Sequence, residues 1–150
     1  MLAIDSFLVI FDDQSNLVPM LPIDDLSIIL SRMNLFDNIA QIIPKIINSI
    51  ETSTVLNEHS QAEKYLERAF DIIQTMLSSN SNEVKLAFCN EKILKDFFSQ
   101  IMKKTISDPS PVSLTIIKRF IKIIQAVTQS PQTYKELENY EIVKLLVDLL

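Results

Sequence analysis

The chain has 150 residues, enough for one domain with its own core, and it is 47% hydrophobic against 22% charged, which excludes an intrinsically disordered segment. It contains no glycine, the residue on which hairpin turns and phosphate-cradling loops rely, so hairpin-rich sheets, P-loops and dinucleotide-binding turns give way to an all-helical chain punctuated by Asn and Pro. A net charge of −5 argues against a general nucleic-acid binder, and a single cysteine, Cys89, leaves no intrachain disulfide and points to a reducing compartment.

The opening "MLAIDSFLVIF" is apolar, but it carries Asp5 and has no basic start, so it is not read as a signal peptide. No run of 18 apolar residues exists to span a membrane. The expectation is a cytoplasmic protein, with the nucleus as the other compartment open to it. The stretch "FLVIFDDQSNLVP" fits a truncated helix or a short strand pair. A helix with acidic residues at its start is expected over 24–33, "DDLSIILSRM". Next comes "IIPKIINSI" at 42–50, where Pro44 is expected to open a helix, because proline loses no intrahelical donor in a first turn. The polar "TSTVLNEHSQ" reads as a loop, and Ser60 with Glu63 forms a capping box for a helix over 61–77. After the turn "SSNSN", the short helix "EVKLAFC" is expected to end at Asn90. "ILKDFFSQI" follows at 93–101. A long helix over 112–127 starts from Ser110 as N-cap and Pro111 at the first helical position. The turn "TQSPQ", a short helix "TYKELE" ending at Asn139, and "IVKLLVDLL" at 142–150 complete the chain.

The three nine-residue segments share one pattern: positions one, two, five, six and nine are apolar in each. That spacing paints a single stripe along a helix. Their starts at 42, 93 and 142 are 51 and 49 residues apart, a period typical of helical solenoids. "IIQ" recurs at 72–74 and 123–125, each time at the end of a long helix. Asn90 and Asn139 fall in one column, where a left-handed C-cap is expected. The core expectation is Ile42, Ile43, Ile46, Ile93, Phe97, Ile142 and Leu146 in equivalent positions.

This order of long helix, turn, short helix, corner and medium helix resembles armadillo repeats, whose second-helix pattern A-L-P-x-L-V-x-L-L is matched by "IIPKIINSI" and, without the proline, by the other two copies. The resemblance covers roughly residues 35 to 150. It implies an all-α, right-handed alpha-alpha superhelix of about two and a half to three repeats, with units near 24–50, 60–101 and 112–150, forming one domain of a longer chain. Two features depart from the pattern. Gln41, Lys92 and Glu141 stand where the family has glycine, and Thr75 and Ala126 stand where its groove-lining asparagine falls. The stretch from "SLTIIKRFIKIIQAV" to the C-terminus is also similar to the helical-repeat regions of septation-type protein kinases.

A search for chemistry finds no catalytic constellation, and a longer parent chain remains free to carry one. With one His and one Cys no zinc set can be assembled, and no cofactor is expected. A Cys89–His59 dyad is weighed against Cys89 as a small buried hydrophobe on the apolar side of its helix, and the second reading is preferred. Asp12–Asp13 and Asp24–Asp25 are read as solvated acids, since adjacent residues point apart on a helix. What remains is a polar stripe on the two long helices: Lys64, Glu67, Arg68, Asp71 and Gln74 on the first, and Thr115, Lys118, Arg119, Lys122 and Gln125 on the second. The armadillo resemblance implies that these helices line a concave groove. The expected partner-binding residues are Lys64, Arg68, Asp71, Thr115, Arg119 and Lys122, gripping a protein partner with an acidic segment. The solvated side of a mostly buried helix is the competing interpretation. The leading expectation is therefore an interaction scaffold without enzymatic activity, and the alternative is a regulatory helical segment of a larger signalling enzyme such as a protein kinase. Neither nucleic acid nor membrane insertion is expected. Leu145 and Leu149, which replace polar residues of the earlier copies, are expected to be covered by further repeats or a partner.

Overall fold

The computed structural model of the protein describes residues 22–140 and 142–147, and every regular element among them is a helix. In chain order these are α1 (Ile23–Arg32), α2 (Leu35–Thr52), α3 (Leu56–Leu77), α4 (Asn82–Phe88), a π-helical stretch (Lys92–Ser99) continuing into α5 (Gln100–Ser107), α6 (Pro111–Val127), α7 (Pro131–Asn139) and α8 (Ile142–Val147). The all-helical expectation therefore holds for the described residues, while the segment "FLVIFDDQSNLVP" lies outside them.

Helix starts fall where local chemistry is strong. Ser110 Oγ accepts the Ser113 N–H at 3.1 Å, and Ser113 Oγ donates to the Asp108 carbonyl at 3.0 Å, so the residues ahead of α6 close on themselves. Ser81 Oγ accepts the Val84 N–H at 3.4 Å at the head of α4. Asp24 and Asp25 occupy the first turn of α1, and Asp24 Oδ1 also accepts the Asn80 N–H at 3.2 Å. Asp24 thus joins α1 to the turn before α4.

Three sequence expectations are corrected. Pro44 does not open a helix; it lies well inside α2, on the exposed side. The apolar row begins earlier, with Leu35, Phe36 and Ile39, all buried, and burial of this row outweighs the roughly 3 kcal/mol that an interior proline costs. The Ser60–Glu63 capping box does not form, because α3 already begins at Leu56 and Ser60 lies within it. "TSTVLNEHSQ" holds no glycine or proline to stop a helix from extending backwards. Finally, Asn90 and Asn139 are not left-handed: among the described residues the one positive φ belongs to Asn34, between α1 and α2. Asn90 turns its corner with its side chain instead. Its Nδ2 donates to the Ala87 carbonyl at 2.9 Å and its Oδ1 accepts the Ile93 N–H at 2.9 Å, tying the end of α4 to the start of the π-helical stretch.

That π-helical stretch has a cause in the sequence. Ile93/Leu94, Phe97/Phe98, Ile101/Met102 and Thr105 recur every four residues, and all are buried. On a 3.6-residue helix four residues overshoot a full turn by about 40°, so three such steps would carry Thr105 about 120° off the core. Wider i→i+5 winding turns the chain more slowly and keeps the row on one face. In α2 the buried residues Phe36, Ile39, Ile43, Ile46 and Ile50 alternate spacings of three and four, and ordinary α-winding suffices.

Packing joins helices that lie about fifty residues apart in the chain. The short helices α1, α4 and α7 touch in series; α2, the π-helical stretch and α8 do the same; and the long helices α3 and α6 lie against each other. Between these rows α2 packs on α3 and α5 on α6. One apolar core runs through all of them, from Leu30 to Ile142. Its centre is aromatic: Phe120 of α6 meets Phe70 of α3 at 5.5 Å and Phe98 at 4.1 Å. Of the expected core residues, Ile43, Ile46, Ile93, Phe97 and Ile142 are buried and Ile42 is half-buried, while the Leu146 side chain lies outside what is described. Leu145 is not an uncovered residue; it is half-buried against the core, and Leu149 lies outside the described residues.

Candidate partner-binding surface

The polar columns of the two long helices meet because α3 and α6 are neighbours. Their buried sides are set by Leu66, Ala69, Phe70, Ile73 and Met76 on α3 and by Ile116, Phe120, Ile123 and Val127 on α6, which leaves the polar residues turned outward. Lys64, Glu67, Arg68 and Asp71 are exposed on α3, and Lys118, Lys122 and Gln125 on α6, with Thr115 half-buried. A rung from Arg119 crosses between the helices. Arg119 Nη1 donates to Asp71 Oδ1 at 2.6 Å and to Gln74 Oε1 at 2.8 Å. Arg119 and Asp71, both expected to grip a partner, are thus engaged with each other.

The rung alters the electrostatics of the surface. Lys64, Arg68, Arg119 and Lys122 supply four cations against Glu67 and Asp71, so the surface is net positive in a chain of net charge −5. Pairing Arg119 with Asp71 screens one of the two carboxylates that would repel an anion. On the first half of α3, Asn57, Ser60, Gln61, Lys64, Tyr65 and Arg68 line an open depression of about 440 Å³. Asn57, Ser60, Gln61 and Tyr65 were not foreseen, since a helix expected from residue 61 left the first two in a loop. With α3 starting at Leu56, positions 57, 61, 64 and 68 fall on one face, a spacing visible in the sequence once the helix start is moved.

Elsewhere, Cys89 sits at the C-terminal end of α4, 4% exposed, with its thiol pushed up to about 12 by burial and, secondarily, by the Glu136 carboxylate. It is protonated at neutral pH and shielded from solvent, the reverse of a nucleophile's environment. His59 lies on α3 with Nδ1 3.7 Å from Glu63 Oε2. A second cavity, about 70 Å³, lies between α2, α5 and α6, with Pro44, Ile47, Ile101 and Thr105 in its wall. Glu51 and Lys104, paired at 2.6 Å, also line it. Among the described residues no cluster of His, Cys, Asp or Glu is arranged to hold a metal ion, and no helix is long and apolar enough to cross a membrane. Comparison of the chain with protein-family models, with curated proteins and with solved structures gave no match.

Proposed function

We propose that this chain is a protein-interaction module of armadillo-like type, a right-handed helical stack that receives an acidic segment of a partner protein on the surface of α3 and α6. The observation that carries this reading is the Arg119–Asp71–Gln74 rung, which holds the polar columns of two long helices side by side and leaves their surplus cations facing solvent. Lys64 and Lys122 are the principal contacts in this reading, with Arg68 and Thr115 beside them. Arg119 acts by positioning: it fixes α6 against α3 and neutralises Asp71. The open depression along α3 suits an extended segment rather than a compact small molecule, because its lining is polar and comes from one helix.

The test uses a labelled, extended Asp/Glu-rich peptide followed by fluorescence anisotropy. A Lys64→Glu, Lys122→Glu variant is expected to bind about tenfold or more weakly, because like charges are brought together. Binding to the parent chain should weaken as salt rises from about 50 to 200 mM. Both substitutions are at exposed positions, so the thermal midpoint should move little. Unaltered affinity would return the columns to the role of a solvated helix surface.

A further inference from the structure

Helix α6 packs against α3 and α5, and a further long side of it carries large aliphatic residues that are exposed in the described molecule. Toward α3 it offers Phe120, edge-on to Phe70 at 5.5 Å, and Arg119, bonded to Asp71. Away from α3 it offers Leu114, Lys118, Ile121 and Gln125, spaced by four, three and four residues in a straight stripe. Leu114 is 59% exposed and Ile121 41% exposed, with Ile117 half-buried between them. A helix side that serves only solvent has little reason to line up large aliphatic residues over two turns. The charge there is of one sign: Lys118 lies in the stripe and Lys122 beside it, and residues 111–127 contain no acid at all.

These features select the occupant. A second copy meeting the stripe with its own stripe would set Lys118 and Lys122 against their images, which is unfavourable. The inner side of α6 shows what chemistry it accepts: α3 brings an aromatic residue to the core and, next to it, a carboxylate to a cation of α6. We propose that the outer stripe of α6 is a docking site for an acidic amphipathic helix of a partner protein, which lays its apolar row on Leu114, Ile117 and Ile121 and its carboxylates on Lys118. This mode depends on leucine-type anchors at helical spacing, which an extended acidic segment on α3 does not need. The two surfaces can therefore be tested apart.

The probe is a synthetic helical peptide of about 18 residues, long enough to hold a helix on a surface, with leucines along one stripe and glutamates on both flanks. The 150-residue chain is titrated with it, and with the same peptide carrying lysine for glutamate. The glutamate peptide is expected to bind and the lysine peptide not. Lys118→Glu and the pair Leu114→Ser, Ile121→Ser should each raise its Kd about tenfold or more. Lys64→Glu should leave this peptide's Kd unchanged while weakening the extended acidic peptide, so that failure of either surface is seen separately. Circular dichroism checks that the serine variant remains helical; if it does not, Lys118→Glu alone decides. The proposal is overturned if neither peptide binds, if both bind equally, or if Lys118→Glu leaves the Kd unchanged. It is likewise overturned if sedimentation shows the parent chain self-associating through this side, with dimers lost in the serine variant, since the occupant is then a second copy.

Discussion

Asn34 is where a chain without glycine turns left-handed, at φ 57° and ψ 33°, with no hydrogen bond from its side chain. Asn tolerates this region better than any other residue with a Cβ, and a left-handed conformation costs an ordinary residue about 1–2 kcal/mol. Asn34→Gly should therefore match or exceed the parent in chemical denaturation, while Asn34→Ala should lose about 1 kcal/mol. Equal stabilities for the two would mean that the turn relaxes. Cys89 makes a prediction of a different kind. Its thiol is held at about 12 in the folded chain, against about 8.5 when exposed, so between those values the unfolded chain loses a proton that the folded chain keeps. The folded state binds more protons there, and stability falls as pH rises, by at most about 1.4 kcal/mol per unit from this group. Cys89→Ala should have a shallower decline between about pH 8.5 and 12 than the parent, read from urea midpoints. Parallel declines would show that the thiol titrates alike in both states.

Elements show how local preference and burial compete. Pro44 breaks the hydrogen-bond ladder of α2 yet the helix continues, because Ile43, Ile46, Ile47 and Ile50 are buried against α3 and the π-helical stretch. Pro44→Ala supplies the missing N–H for the Ala40 carbonyl, which favours the variant, and loosens the unfolded chain, which opposes it. The first effect is larger, and a net gain of about 1–2 kcal/mol is expected in equilibrium denaturation. A loss would mean that α2 packs only with the shape that its proline imposes. Between α1 and α4, Arg32 bonds both carboxylate oxygens of Glu83, at 2.7 and 3.1 Å. The Arg32 guanidinium holds the Glu83 carboxyl below its usual range, but both groups are exposed, so their contribution is to alignment more than to stability.

At the scale of the whole molecule, one core threads every described helix, and Phe120 lies fully buried in it against Phe70, Phe97 and Phe98. Phe120→Ala should cost about 3–5 kcal/mol, because the rings around it belong to two different elements, α3 and the π-helical stretch, and cannot collapse together into the space left. A variant that melts like the parent would show that α6 contributes little to the core. The surface follows from the same packing. Setting α3 beside α6 collects cations from residues about fifty positions apart, and the Arg119 rung between them pairs one of those cations with Asp71.

Much of this was legible in the residues themselves. The lack of glycine and the nine-residue apolar pattern specify helices and their buried sides, since burial periodicity is written in side-chain spacing alone. Ser110 marks a helix start because a cap is a contact among neighbours in sequence. What tertiary structure decided is whatever depends on partners distant in the chain. Pro44 stays inside a helix because buried rows elsewhere hold it there, and the π-helical stretch unwinds because a row repeating every four residues must face one core. Arg119 and Asp71, read separately as partner contacts, form an ion pair across 48 residues of sequence that only the meeting of α3 and α6 brings within 2.6 Å.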